Sequence, residues 1–444
     1  MVLDVLRQLT HAALLAALAL LCVLCATLAW HVITFLRLRR SGLAREAALL
    51  THALPTDAGL PDVLVQLPTF NEGSVIRRVT QAVGRLDWPS EKLHIQVLDD
   101  SSDDGAAAAA REAVEALRGR GLDAVLLHRS ERTGFKAAAL QAGLRLAHHD
   151  YVAVFDADFV PPADFLRKCV RVLLADPRLA FAQARFDAMN GRENALTRAQ
   201  EFLMDVFFAV LQAPRGWSGH SVIFSGTCAL WRRSALDELG GWQSDIFMED
   251  IDLSYRAFLG GWAGWCLLTV AVPGELPAST ASFQVQQYRW NGGLAQAMRK
   301  YLPEIWRSPL PLGHKLLAAT YLGYSAFGAL LGIAAVAMLL EFLLGWGPRP
   351  WAWALAAVGS VAFAVSMLGL PLSRRLLRGA NPWSDLPEAV LSILVLVYTQ
   401  FAVAFSFRHM LGVKGPSWRR TPKKGSPLTP EDPEIPSAPE PRGS

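Results

Sequence analysis

Charge is what this chain has least of. Asp, Glu, Lys and Arg make up only 18% of its 444 residues, against roughly 25% in an ordinary soluble domain, so part of the chain must lie in a membrane. Cysteine is sparse too, at five residues. Cys169, Cys228 and Cys266 lack any metal-ligand spacing, and a cytoplasmic domain would keep them reduced. Cys22 and Cys25 form a Cys-x-x-Cys, but inside an apolar run, where they read as packing residues rather than a redox pair or zinc site. There is no Gly-x-x-x-x-Gly-Lys loop and no Gly-x-Gly-x-x-Gly after the first predicted strand, which leaves a P-loop kinase or a dinucleotide dehydrogenase unsupported. The net charge of +4 sits largely in arginines flanking apolar runs and in the C-terminal tail, and implies no nucleic-acid partner.

Long apolar runs are present in number. Residues 11–36 carry no Asp, Glu, Lys or Arg and are followed by Arg37, Arg39 and Arg40. That run is too long for a signal-peptide core and lacks a small-residue cleavage site, so it reads as a retained anchor with its C-terminal end in the cytoplasm. Residues 316–346 and 351–372 are each long enough to cross a bilayer of about 30 Å. Residues 386–411 are a third candidate, interrupted by Tyr398, Thr399, Gln400, Arg408 and His409. A third crossing would place Arg419, Arg420, Lys423 and Lys424 outside, against the positive-inside rule, so an interfacial or re-entrant helix is expected there. Gly328 and Gly332 suggest close helix packing in the bundle. The expected organisation is an anchor over 1–44, one cytoplasmic domain over 45–305, membrane helices over 306–414 and a disordered Pro-, Ser- and acid-rich tail over 415–444.

Between 45 and 300 the pattern is α/β. Strands are expected at 62–67, 93–98, 123–127, 151–154 and 179–186, with helices at 74–86, an alanine-rich helix after Ser102, and one at about 135–149 between them, which implies a Rossmann-like, mostly parallel sheet. Ligands of such sheets bind beyond the carboxyl ends of the strands. Polar residues gather at those ends: PTFNE with Glu72, then Asp99 and Asp100, then Asp156 and Asp158 in FDAD. In extended backbone Asp156 and Asp158 point the same way, and two oxygen ligands there suit Mg2+ or Mn2+. So many carboxylates at one edge would repel each other without a cation, and a metal-bound nucleotide diphosphate fits that crevice.

Three further segments carry chemistry. Lys136, at the start of a predicted helix, is a candidate phosphate or sugar contact. Glu249, Asp250 and Asp252 open another helix, where the dipole explains one carboxylate but not all three, so one member is a catalytic candidate. In the helix over 283–300, Gln286, Arg289 and Trp290 fall on one face: an amide for hydroxyls, a guanidinium for pyrophosphate, an indole for a sugar ring. The apolar helix 194–211, with Phe202, Phe207 and Phe208, reads equally as a core helix or one lying in the membrane interface.

Taken in order, QLPTFNE, VLDDS, RTGFKAAAL, FDADFVPP, SGT, MEDIDLSYR and QQYRW resemble the membrane-bound processive glycosyltransferases of family 2. The likeness is closest to the cellulose synthase-like A and C glucan and mannan synthases and their bacterial relatives. It covers about residues 60–300 and reappears in GPSWRRTPKKG of the tail. The resemblance implies a GT-A fold and an inverting hexosyl transfer from UDP-glucose or GDP-mannose to a growing β-linked polysaccharide, coupled to translocation. By that likeness Asp99 and Asp100 contact the base, and Glu72, Lys136 and Arg289 serve the nucleotide sugar. Asp156 and Asp158 would hold the diphosphate and the Mg2+ or Mn2+, Asp250 would act as base, and Gln286 and Trp290 would bind the acceptor. Phe186 and Ser225 depart from the Trp and Asn common in relatives, at positions near the acceptor by analogy. Two alternatives are a single transfer to a lipid, as in ceramide glucosyltransferases, and a noncatalytic membrane scaffold; any export partner is unknown. The expected location is a bacterial inner membrane or its equivalent, multi-pass, in contact with membrane lipids.

Overall fold

The computed structural model describes residues 2–346, 350–379 and scattered positions between 387 and 398. The expected tail, the GPSWRRTPKKG string and most of the 386–411 segment lie outside the described residues. The chain opens with one long helix, α1 (Val2–Leu50), and then alternates: β1 (Val63–Thr69), α2 (Gly73–Val83), β2 (Leu93–Asp99), α3 (Asp104–Arg118), β3 (Asp123–His128), α4 (Phe135–Arg145), β4 (Tyr151–Val154), α5 (Phe165–Ala175) and β5 (Leu179–Ala188). Next come α6 (Ala195–Val206), a π-helical turn over Phe207–Gln212 and α7 (Ala213–Trp217), followed by β6 (Ala229–Arg232), α8 (Arg233–Glu238), α9 (Glu249–Leu259), β7 (Ala263–Gly274) and α10 (Thr280–Arg307). The last three helices are α11 (Leu312–Leu322), α12 (Tyr324–Leu343) and α13 (Pro350–Arg378).

The seven strands form one sheet in the order β3-β2-β1-β4-β6-β5-β7. Every pairing is parallel except those of β6, which runs antiparallel to both β4 and β5. The mostly parallel α/β sheet read from the pattern is therefore present. All seven residues of β1 are buried, as expected of a strand covered by helices on both faces. Val63, Val65 and Leu67 face the layer with α2, α3 and α5, while Leu64 faces that with α4. On the α4 side two buried glutamines replace apolar contacts. Gln66 donates to Gln96 (3.0 Å) and to the Leu140 carbonyl (3.1 Å), and Gln96 donates to the Gly143 carbonyl (3.0 Å). These bonds fix α4, and with it Lys136, against the sheet.

The chain builds outward from β1 through β2 to β3, then returns to place β4 on the other side of β1. That reversal makes β1/β4 the switch point, where the two following loops diverge and leave a crevice. β4 ends at Val154, sooner than the reading of Asp156 and Asp158 on extended backbone requires. Beyond it the chain turns: Phe159 N–H donates to the Asp156 carbonyl (3.1 Å), and the turn is pinned to the end of β7 through Val160 to Pro273 (2.8 Å). The two aspartates are thus held by a loop: the antiparallel partner β6 begins only at Ala229, opposite Val154, so β4 has no β6 partner beyond that point.

Two boundaries differ from expectation. No break occurs at residue 44, since α1 runs unbroken to Leu50. Its C-terminal part docks on the domain: Glu46 accepts from the Leu268 and Thr269 backbones (3.1 and 2.8 Å), and Phe35 stacks on Trp217 (6.3 Å). The apolar stretch 316–346 is two helices, parted at Gly323. At Gly332 a Cβ would meet nothing within 4 Å among the described residues. Helix 194–211 is a core helix, with Phe202 and Phe208 fully buried, and its far side carries α13. Cys25 is half-buried but Cys22 is exposed on the outer face of α1; all five thiols are free.

Among the described residues one helix, Leu3–Leu50, is long and apolar enough to cross a membrane; Gly332–Leu343 is a shorter apolar helix. The N-terminal half of α1 packs on α12 through Leu14, Ala17, Ala334 and Ala337.

Candidate active site

A cavity of about 210 Å³ lies across the carboxyl edge of the sheet. Because the strand order is known, its contents can be read along that edge. Over β2 and β1 stand Asp100, Phe70 and Glu72. Over β4 stand Asp156 and Asp158, faced by Ser225, Gly226 and Thr227 from the loop before β6 and by Glu249 and Asp250 at the start of α9. Over β5 and β7 stand Phe186, Asp187, Gly274 and Glu275. Helix α10 closes the front with Gln286, Arg289 and Trp290.

At the first end Asp100 receives two bonds from Arg129 (2.7 and 2.5 Å). Arg132 lies 3.5 Å from the centre of the Phe70 ring. Burial lowers its pKa to about 10, against the raising effect of Asp100. A carboxylate, a guanidinium and an aromatic ring supply acceptor, donor and stacking surface for a heterocyclic base.

The centre is dominated by one lysine among carboxylates. Lys136 Nζ lies 2.6 Å from Asp156 and 3.3 Å from Glu249, and donates to the Gly226 carbonyl at 2.8 Å. Burial disfavours its charge, but Asp156 and Glu249 outweigh burial and hold the ammonium above its ordinary range. Asp156 itself is raised, by burial and by Asp158, with Lys136 opposing. Asp250 is pushed up to about 7, first by burial, then by the neighbouring charge of Glu249. A carboxyl group titrating near neutrality in a cleft is suited to taking a proton. Gly226, at φ +80°, brings the loop backbone close to it: a Cβ there would lie 3.1 Å from Asp250 Oδ2.

Backbone strain gathers around this centre. The non-glycine residues with positive φ among the described residues are Asn71 (54°), Phe135 (50°) and Cys228 (58°). They adjoin Glu72, Lys136 and Thr227, all of which line the cavity. Such conformations cost of order 1 kcal/mol or more each and persist where the surroundings enforce them. Thr227 in turn fixes the aspartate loop, its hydroxyl accepting from Asp156 N–H at 2.8 Å.

Residues 65–240 match the family model described as glycosyl transferase family 2. That segment is thus similar to a family 2 glycosyltransferase domain. Two plant relatives, glucomannan 4-beta-mannosyltransferase 2 of Arabidopsis thaliana and glucomannan 4-beta-mannosyltransferase 1 of Oryza sativa subsp. japonica, are each 40% identical, over 255 and 254 residues. Those matches cover 56% of this chain and 48% and 49% of the relatives, so the chain spans about half the length of the curated relatives it matches. Among solved structures, a mannosyltransferase from Pyrobaculum calidifontis in complex with GDP-Man and Mn2+ superposes with a TM-score of 0.55. The alignment covers 86% of this chain and 99% of that one at 24% identity. The shared architecture is the GT-A-like sheet.

The fold brings most of the residues singled out in the sequence into one cavity: Glu72, Asp100, Lys136, Asp156, Asp158, Asp250, Gln286, Arg289 and Trp290 all line it. Asp99 does not. It is fully buried and spends its carboxylate on Ser101 N–H (3.0 Å) and on the His128 ring (2.8 Å), because successive strand residues face opposite sides and only Asp100 turns outward. Lys136, the candidate phosphate or sugar contact, is paired with Asp156 and Glu249. Asp252 is structural, held by Lys300 (2.6 Å), Arg256 (2.6 Å) and the Tyr301 hydroxyl (2.5 Å). Trp290 faces the cavity rather than a bilayer interface. Sequence reasoning missed Arg132, Glu249 as a Lys136 partner, and the Asp187, Glu201 and Arg378 group. Arg132 stood in the quoted RTGFKAAAL string; Arg378 left no signal, since it arrives from a helix some 190 residues after Asp187.

Proposed function

We propose that this protein is an inverting membrane glycosyltransferase that transfers a hexose from a nucleotide sugar to the end of a β-linked polysaccharide, with GDP-mannose as the favoured donor and UDP-glucose as the competing one. The observation that carries the proposal is the order of groups along one cavity: a base-binding end at Asp100 and Arg132, a diphosphate and metal position at Asp156 and Asp158, a neutral-range carboxyl at Asp250, and Gln286, Arg289 and Trp290 in front. The plant relatives named as mannosyltransferases and the Pyrobaculum enzyme solved with GDP-Man support mannose over glucose.

In this reading Asp250 accepts the proton of the attacking acceptor hydroxyl, Arg289 binds the pyrophosphate, and Trp290 and Gln286 hold the acceptor sugar. The residues present fit a divalent ion. Lys136 shows that the carboxylates around Asp156 accept a cation between them, and two carboxylates suffice for Mg2+ or Mn2+ when phosphate oxygens and water complete the shell. Among the described residues no group of three or more metal-ligating side chains occurs, consistent with an ion that arrives with the donor. When bound, it supplies positive charge to the departing diphosphate. We place α1, α12 and α13 in the membrane, with the catalytic domain on the cytoplasmic side where nucleotide sugars are made.

The test is transfer by full-length protein in nanodiscs from labelled GDP-mannose and UDP-glucose, with Mg2+ or Mn2+, followed by sizing of the product. Polymeric label from one donor supports the proposal and names the sugar. Label confined to a small lipid-soluble product replaces it with a single-transfer glycolipid enzyme, and no label from either donor refutes hexosyl transfer.

A further inference from the structure

At the end of the cavity over β5 and β7, Asp187, Glu201 and Arg378 have no role assigned above, yet they are groups that bind carbohydrate. Asp187, Glu201 and Arg378 line it, together with the Phe159 and Phe186 rings, whose centres are 4.7 Å apart. Arg378 reaches in from the last turn of α13 and contacts Asp187 (2.8 Å), Glu201 (3.3 Å) and Asp205 (2.7 Å). Arg374, one turn earlier, contacts Glu201 at 2.9 Å and Asp205 at 3.4 Å.

A clamp that merely docks α13 on α6 would account for some of this network, and Asp205 fits that role. It is almost fully buried, is held by both arginines and does not line the cavity. Asp187 and Glu201 differ. Each gives Arg378 a contact and also lines the cavity, and the Asp187 side chain remains about a quarter exposed (27%). Anchoring alone does not call for two aromatic rings beside them. Carboxylate and guanidinium groups bind sugar hydroxyls, and an aromatic face takes the apolar face of a pyranose ring.

Position then decides which sugar. Asp100 follows β2, Asp156 follows β4 and Asp187 lies near the end of β5. In the sheet order β2-β1-β4-β6-β5 the base-binding end and Asp187 fall on opposite sides of the reactive centre. Asp187 is two strand spacings past Asp156, about 10 Å at roughly 4.8 Å per strand. A donor lying from Asp100 to Asp156 does not reach it; an acceptor entering from the far side does. We propose that Asp187, Glu201 and Arg378, with Phe159 and Phe186, form a subsite for the acceptor glycan beyond the residue that reacts. The proposal rests on the transferase reading. It makes α13 part of the acceptor site, so the subsite exists only while that helix is docked.

The test compares β-1,4-mannobiose and β-1,4-mannotetraose as acceptors, with GDP-mannose as donor, in full-length wild type and in D187N, E201Q and D205N; cellobiose and cellotetraose take their place if UDP-glucose is the donor. The readout is the ratio of kcat/KM for the longer over the shorter acceptor, which a general loss of folded enzyme does not move. Wild type is expected to prefer the tetraose, and D187N or E201Q to cut that preference by about tenfold, the loss of one charge-assisted hydrogen bond. D205N keeps an amide oxygen for Arg374 and Arg378 to donate to, so α13 stays docked, and the ratio is expected to stay in place. An unchanged ratio in D187N and E201Q overturns the subsite, as does a wild type indifferent to acceptor length or a D205N effect as large as the others. Wild type that transfers to neither acceptor from either donor overturns the transferase reading itself.

Discussion

If Asp250 takes the acceptor proton, the acid limb of the rate profile belongs to it. Its pKa stands at about 7, raised by burial and by Glu249 and opposed by Lys136. The active form of a base is the carboxylate, so activity is present above that pKa and lost as pH falls through it. Plotted against pH, kcat/KM reports groups of the free enzyme. It should reach half its plateau near pH 7 and fall about tenfold per unit below. The neighbours give the sign of two shifts. Two unit charges about 6 Å apart at an effective dielectric of about 20 interact by about 3 kcal/mol, an upper bound of about two pKa units, and about one after screening. Glu249→Gln removes a like charge and should move the limb to lower pH by about one unit; Lys136→Met removes the opposing charge and should move it higher by a similar amount. Asp250→Asn should remove the limb and cost about 10²- to 10⁴-fold in rate. The assay is kcat/KM from pH 5 to 9 at fixed ionic strength. A limb that stays put in Glu249→Gln, or moves upward, refutes the electrostatic account; a limb that persists in Asp250→Asn refutes the base.

Three other expectations concern different parts of the molecule. Asp252→Ala strands Lys300 and Arg256 and should cost about 3–5 kcal/mol of domain stability, the range for breaking a buried ion pair, measured by denaturant unfolding; a loss under 1 kcal/mol contradicts the structural role. Glu46→Ala leaves the Leu268 and Thr269 N–H groups without their acceptor, at about 1–3 kcal/mol, and should raise hydrogen exchange at those two amides selectively. Chelation by EDTA should abolish transfer, with recovery on adding Mn2+ or Mg2+; full activity in EDTA removes the metal from the proposal.

The sequence alone determined the layers. Alternating apolar strands and amphipathic helices encode a parallel sheet through local periodicity, and the carboxyl-edge rule then points the strand-end loops at one crevice. That is why Glu72, Asp100, Asp156 and Asp158 were legible as one group, whereas Asp250 was singled out from its helix start by the resemblance. Helix periodicity likewise put Gln286, Arg289 and Trp290 on one face. What only the tertiary structure decided is which side of a junction a residue takes and what meets it there. Asp99 and Asp100 are equivalent in composition, and one residue of register turns the first into the interior and the second onto the cavity wall. Asp250 and Asp252 share one helix turn, yet one faces the cavity and the other two cations. Arg378 enters the site only because α13 folds back along α6, a pairing that no local pattern records. Periodicity is a property of neighbours in the chain, whereas the charge state and role of a carboxylate depend on which distant groups the fold sets against it.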